Sequence, residues 1–282
     1  MSYITTTHTK ASKVNIYFEE YGSNTAQETI ILIHGWPLSL RMWEPQIMPL
    51  INAGYRVIAY DRRGFGDSDH TWDGHDYESL TADLNDLLQA QNITNATLVG
   101  FSMGGGEVAH YMGNYDISRI KKVAFISAVT PFLLKTDDNL GGVDNDVFVE
   151  MEQAVLADRL HFLDGFGKKF VNWDKLFGET ISKEMLDYSF QIAAFASPRS
   201  SYCQIGAFAR TDFRTDIAKM ITVPVLIVHG DSDQIVPIQA SGARLAKIIP
   251  DAIYKVIENA PHGLTMTHAE EFNTILLDFI KS

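Results

Sequence analysis

Short apolar runs alternate with amphipathic segments through most of this sequence. Residues 14–21 alternate apolar and polar side chains and predict a half-buried strand. Residues 29–33 and 56–60 are continuous apolar runs, the pattern of strands covered on both faces. Between them, Trp43, Ile47, Leu50 and Ile51 recur at helical spacing over 40–52, and Gly54 ends the pattern. Leu80, Leu84, Leu87 and Leu88 share one face of a helix expected over 77–91. A strand at 96–99, a helix-compatible segment at 107–112 and a strand at 120–128 follow. From residue 130 to about 218 the pattern becomes helical and rich in aromatics, with no convincing central strand. Alternation returns with a strand at 223–229, a helix over about 239–249, a strand at 253–257 and a last helix over about 267–280. Strands alternating with helices predict an α/β domain with a doubly wound, mostly parallel sheet. Residues 1–128 and 219–282 are read as its core, and 129–218 as an inserted helical cap.

Composition narrows the function. The 282 residues are 46% hydrophobic, enough for a sizeable core. The formal net charge of −12 argues against a nucleic-acid or anionic-membrane partner, since both need basic surface. Cys203 is the single cysteine, so no intramolecular disulfide can form. No charged and apolar leader pattern opens the sequence and no apolar run reaches the length of a membrane span, so a soluble cytoplasmic protein is expected.

The chemistry concentrates on Gly100-Phe101-Ser102-Met103-Gly104, a G-x-S-x-G pattern on a strand-to-helix turn. Such a turn holds its serine in a strained conformation with Oγ raised above the sheet. Gly105 and Gly106 follow, each costing a helix about 1 kcal/mol relative to alanine, so close backbone approach is expected there. A serine hydroxyl is protonated at neutral pH and needs a base, and the base needs a carboxylate to fix its tautomer. In an open parallel sheet these groups gather beyond the carboxyl ends of the strands. Of nine histidines, His262 fits best, in a Pro-His-Gly loop after the last strand. His34 and His229 also close strands, but both precede loops that need other jobs. For the acid, Asp231 is placed to brace its own turn, and Asp233 lies further out, better able to reach the histidine loop. The oxyanion donors are expected to be the backbone N–H of Met103, after the nucleophile, and of Trp36 in His34-Gly35-Trp36-Pro37. Phe101, Phe132, Phe162, Phe195, Ile235 and Leu264, with the Trp36 indole, are candidates to line an apolar acyl pocket.

Other chemistries find little support. Gly64-Phe65-Gly66 has Asp69 where a dinucleotide fingerprint needs its third glycine, and no helix starts directly after it. No His, Cys and carboxylate cluster has metal-ligand spacing. Haloalkane dehalogenases and epoxide hydrolases need a carboxylate nucleophile at the elbow, where this chain has Ser102. A lactonase, amidase or C–C bond hydrolase would use the same three residues, and a non-catalytic ligand-binding protein on this scaffold would often lack one of them.

Four stretches carry a resemblance over nearly the whole chain: His34-Gly35-Trp36-Pro37-Leu38-Ser39, Tyr60-Asp61-Arg62-Arg63-Gly64-Phe65-Gly66, Gly100 to Val108 around Ser102, and Pro261-His262-Gly263-Leu264. They resemble the α/β-hydrolase fold, and within it the cofactor-free bacterial haloperoxidases, also called non-haem chloroperoxidases or perhydrolases and related to aryl esterases. The resemblance implies Ser102, Asp233 and His262 as a triad, Trp36 and Met103 as oxyanion donors, and no haem, metal or flavin. It implies a small ester or carboxylic acid as substrate and hydrogen peroxide as an alternative to water. Family members are often oligomers, so a homo-oligomer is compatible, although nothing in the composition requires one.

Overall fold

The computed structural model describes residues 2–219 and 222–282, so residues 220 and 221 of the expected second core segment lie outside the described residues. Eight strands form one sheet: β1 (Ser2–Thr5), β2 (Asn15–Tyr21), β3 (Thr29–Ile33), β4 (Arg56–Tyr60), β5 (Ala96–Phe101), β6 (Ile120–Ile126), β7 (Val225–Gly230) and β8 (Ile253–Ile257). Their spatial order is β1-β2-β4-β3-β5-β6-β7-β8. The first two strands pair antiparallel, as do β2 and β4, and every later neighbour pair is parallel. Strand β1 was not anticipated, because four residues are too few to establish a period.

The helices are α1 (Glu44–Asn52), α2 (Tyr77–Ala90), α3 (Met103–Asn114), α4 (Asn145–Phe170), α5 (Trp173–Leu176), α6 (Lys183–Phe195), α7 (Pro198–Arg210), α8 (Arg214–Ile217), α9 (Gly242–Ile248), α10 (Leu264–Thr267) and α11 (Ala269–Lys281). Local capping explains several starts. Asp76 accepts from the Ser79 amide at 2.8 Å at the head of α2, and Ser197 caps α7, with Pro198 in its first turn. Three expected helices are divided. A 3₁₀ turn over Leu40–Trp43 precedes α1, another over Ile238–Ala240 precedes α9, and α10 and α11 are separated at His268.

The period of two places alternate side chains of each strand on opposite faces. Ile31 and Ile33 of β3 enter one apolar cluster, while Ile30 and Leu32 enter the other. Both faces are covered, as the unbroken apolar strands required. Helices α4 to α8 all lie in the chain between β6 and β7, and α4 departs from helical geometry at Asp158 (φ −155°, ψ 90°). The loops that leave β3, β5, β7 and β8 all leave the carboxyl edge of the parallel part of the sheet, bringing residues far apart in sequence to one rim.

Candidate active site

Ser102 stands between β5 and α3 with φ 52° and ψ −116°. A non-glycine residue in this region costs on the order of 1–3 kcal/mol and persists where its surroundings impose it. Here the Ser102 amide donates to Ile126 O at 2.8 Å, and its carbonyl accepts from Val129 N at 3.2 Å. The chain must also pass itself closely. A β-carbon on Gly104 would lie 2.4 Å from Ile33 O, and one on Gly100 would lie 2.5 Å from Gly104 O. Backbone thus approaches Gly100 and Gly104. At Gly105 and Gly106, where the sequence predicts close backbone approach, the space is instead taken chiefly by the side chains of Ala128, Tyr77 and Phe213.

His262 Nε2 lies 2.9 Å from Ser102 Oγ, and its Nδ1 lies 2.7 Å from Asp233 Oδ2. The ring is buried and held at set distances by two phenylalanines, with centroids 5.0 Å away for Phe101 and 5.1 Å for Phe170. Asp233 Oδ1 accepts from the amides of Ile235 and Val236, each at 2.8 Å. Burial alone would raise its pKa. The charge His262 can carry, with hydrogen bonds from His229 and His262, reverses that and holds the carboxyl well below the usual carboxylate range. An acceptor of this kind fixes the histidine with its proton on Nδ1, leaving Nε2 free to take one from the serine.

Asp231 is turned elsewhere. It accepts from Asn259 N at 2.7 Å and so ties the β7 loop to the β8 loop. His34 is also committed: its Nδ1 donates to Gly35 O at 2.9 Å while Nε2 accepts from Arg62 N at 3.0 Å. Burial and the nearby Arg62 charge push its pKa well below the ordinary value, so it stays neutral.

The amides of Trp36 and Met103 have no backbone or side-chain acceptor among the described residues, although both residues are buried beside Ser102. Unpaired donors at a helix start and an adjacent loop suit a developing negative charge. The Trp36 side chain is anchored by its Nε1, which donates to Ser201 O on α7 at 3.0 Å. Beneath this loop Arg62 donates to His34 O and to Glu107 of α3, and Glu107 also accepts from Tyr60 Oη at 2.6 Å. This buried cluster joins the oxyanion loop to the elbow helix. Sequence reasoning missed it, since a buried ion pair has no local signature.

Ser102 opens into an apolar chamber of about 260 Å³, walled by Trp36, Leu133, Phe148, Phe208 and Ile235 among others. An outer chamber of about 510 Å³ shares Met151, Phe166 and Ile235 with it and is lined in addition by Phe162.

A model of the alpha/beta hydrolase fold family matches residues 28–269. A non-heme chloroperoxidase of Kitasatospora aureofaciens is 38% identical over 95% of this chain and 96% of its own. The chain belongs to the α/β-hydrolase family, in its non-heme chloroperoxidase branch. A bifunctional esterase/perhydrolase of Acinetobacter calcoaceticus is 35% identical over all of both chains. Among solved structures, a bromoperoxidase from Bacillus anthracis is similar over 100% of both chains, with a TM-score of 0.92 and 45% identity.

Not every expected lining residue of this family member reaches the chambers. Trp36, Phe162 and Ile235 do. Phe195 does not: at the end of α6 it is 76% exposed and borders a separate surface groove with Arg41 and Tyr188. Phe101 points to the opposite face of the sheet, against Trp43 and His262. Leu264 is fully buried in that same cluster, and Phe132 lies under the Arg214 guanidinium. The walls that sequence reasoning missed, Leu133, Phe148 and Phe208, come from three separate stretches between β6 and β7. Only Phe166, four residues and one helical turn beyond Phe162, carried a usable signal.

Proposed function

We propose that this protein is a serine esterase acting on small carboxylic esters, with cofactor-free perhydrolase (haloperoxidase-type) activity at the same site. The observation that supports it most is the continuous link from Ser102 Oγ through His262 to Asp233, at 2.9 Å and 2.7 Å, on the floor of an apolar chamber. His262 takes the Ser102 proton as Oγ attacks the ester carbonyl. The amides of Trp36 and Met103 hold the oxyanion; one such donor is worth about 2.7–4 kcal/mol of activation free energy. The alcohol leaves with the proton from His262, and an acyl group remains on Ser102. Water then restores the serine and releases the carboxylic acid. Hydrogen peroxide in its place releases a peracid, which oxidises halide away from the site. In the reverse sense, a free carboxylic acid acylates Ser102 with loss of water.

The chamber of about 260 Å³ sits just below the usual range of ~300–1,000 Å³ for ligand pockets. Its apolar walls suit a short to medium acyl chain, with the alcohol directed to the outer chamber. Residues 129–218 act as the cap that supplies most of these walls, on a core made of 1–128 and 219–282. The bromoperoxidase and esterase/perhydrolase relatives support the peroxide branch. No helix among the described residues is long and apolar enough to cross a membrane, and we read the protein as cytoplasmic.

A panel of p-nitrophenyl esters of increasing acyl length, assayed with and without hydrogen peroxide, tests the reading. Ester hydrolysis with a short to medium optimum, and peracid formation that competes with it, are expected. Absence of ester hydrolysis across the panel would overturn it.

A further inference from the structure

His229 is the last residue but one of β7, and it is fully buried. Its Nε2 lies 2.9 Å from Val236 O and 3.1 Å from Asp233 Oδ2. A carbonyl oxygen has no proton to give, so the proton sits on Nε2. Nδ1 has no partner and faces α9, where a β-carbon on Gly242 would come within 2.7 Å of it. A second proton there would be a buried donor without an acceptor. Oxygen Oδ2 of Asp233 therefore faces two imidazoles, with His262 at 2.7 Å and His229 at 3.1 Å, while Oδ1 is held by two backbone amides. The carboxylate is held through both of its oxygens, and nothing in the acyl-transfer steps above uses His229.

We propose that His229 is a positioning residue for the nucleophile system: its Nε2 proton sets the orientation of Asp233 and draws off part of the negative charge on Oδ2, limiting how tightly that carboxylate holds the His262 proton. The proposal rests on the Ser102, His262 and Asp233 reading above. Its chemistry follows from competition at one oxygen. With His229 present, Oδ2 divides its electron density between two N–H groups. Without it, Oδ2 turns wholly to His262, stabilises the imidazolium and makes His262 a base that protonates at higher pH. The carboxylate also gains rotational freedom, which lowers the fraction of His262 rings aimed at Ser102. A histidine that only braced its loop through Val236 O would change stability and leave the protonation of His262 alone.

Few other groups can contribute. His262 and His229 are the titratable side chains whose charge or hydrogen bonds act on Asp233. Helix α9 presents Gly242 to the His229 ring, the elbow presents Ser102, and Asp231 is turned to the Asn259 amide.

The test compares wild type with His229→Met, which removes the donor at similar length, and His229→Gln, which returns an N–H. Ester hydrolysis is measured across pH, and rates are normalised by stoichiometric fluorophosphonate titration so that misfolded protein does not count. In His229→Met, kcat falls about tenfold with KM little changed, and the acid limb of kcat/KM moves upward by roughly half a pH unit or more. His229→Gln restores most of both. If His229→Met does not fold, His229→Asn, whose amide reaches only the Nδ1 position, serves in its place with the same shift expected. An acid limb that stays put in a folded variant lacking the donor overturns the proposal, as does a folded His229→Gln that recovers neither quantity. Ser102→Ala and His262→Ala run in parallel. Retained activity in either would overturn the acyl-transfer reading itself rather than the role of His229.

Discussion

Gly35 lies so close to Ser102 that a β-carbon on it would stand 2.9 Å from Ser102 Cβ, and 2.6 Å from the Phe101 ring. The loop carrying the Trp36 amide thus rests against the nucleophile with no room for a methyl group. Gly35→Ala forces that loop outward and moves one oxyanion donor off its target. We expect a loss of about 100-fold or more in kcat, with a much smaller change in KM, because the donor acts on charge that develops after binding. Steady-state kinetics on one short ester checks this, and an equal loss in both parameters would point to a damaged pocket instead.

The two aspartates after β7 separate cleanly. Asp233→Asn leaves the geometry close to intact but offers His262 an amide that cannot stabilise an imidazolium. A fall of about 10⁴-fold in kcat is expected. Asp231→Asn weakens the bonds from the Asn259 amide and the Ser232 hydroxyl. It should cost about 1 kcal/mol of stability and leave kcat within a few-fold of wild type. Thermal melts and rates on the pair check both halves.

Pocket size is testable through the walls. Leu133 is buried and faces the inner chamber. Leu133→Trp should move the acyl-length optimum to shorter chains, at about 1–3 kcal/mol of stability from overpacking. Phe195→Ala should leave the optimum where it is, since that ring is solvent-exposed at another groove. Measuring kcat/KM over the ester series for both variants decides whether the chamber or the α6 surface reads the acyl chain.

Asp61 gives a pH dependence with a definite sign. Burial, only partly offset by bonds from the Leu40 and Asp67 amides, moves its carboxyl up to about 7. An unfolded aspartate titrates near ~3.9. Between those values the folded state binds the proton more tightly. The stability contribution of this group is therefore fully present below about pH 4 and is lost as pH rises to about 7. The upper limit of that loss is on the order of 4 kcal/mol. Asp61→Asn does not titrate, so the difference in melting temperature, wild type minus variant, should fall from pH 4 to 7 and level off above. Calorimetry across that range checks it, and a constant difference would refute it.

The sheet and the reactive positions were legible in the sequence for the same reason. Continuous apolar runs such as Thr29–Ile33 read as strands covered on both faces, and each reactive residue lies at or just beyond the carboxyl end of a strand, Ser102 directly after β5 and Asp233 and His262 in the loops after β7 and β8. Strand order then fixes that they meet at one rim. The cavity walls were not legible. Phe208 and Phe195 are both helical phenylalanines 13 residues apart in sequence, yet one faces the chamber and the other faces solvent. Which way each points depends on how α6 and α7 pack, and that is a long-range property. The same holds for His229: its place at a strand end was visible, but its second contact, to Asp233, depends on how the loop after β7 folds back.

The most direct test of the whole account is covalent labelling with a fluorophosphonate, located by peptide mass spectrometry. One equivalent on the peptide containing Ser102, absent in Ser102→Ala and slowed in His262→Ala, is the predicted result. Active wild-type enzyme that takes up no label at Ser102 would contradict it.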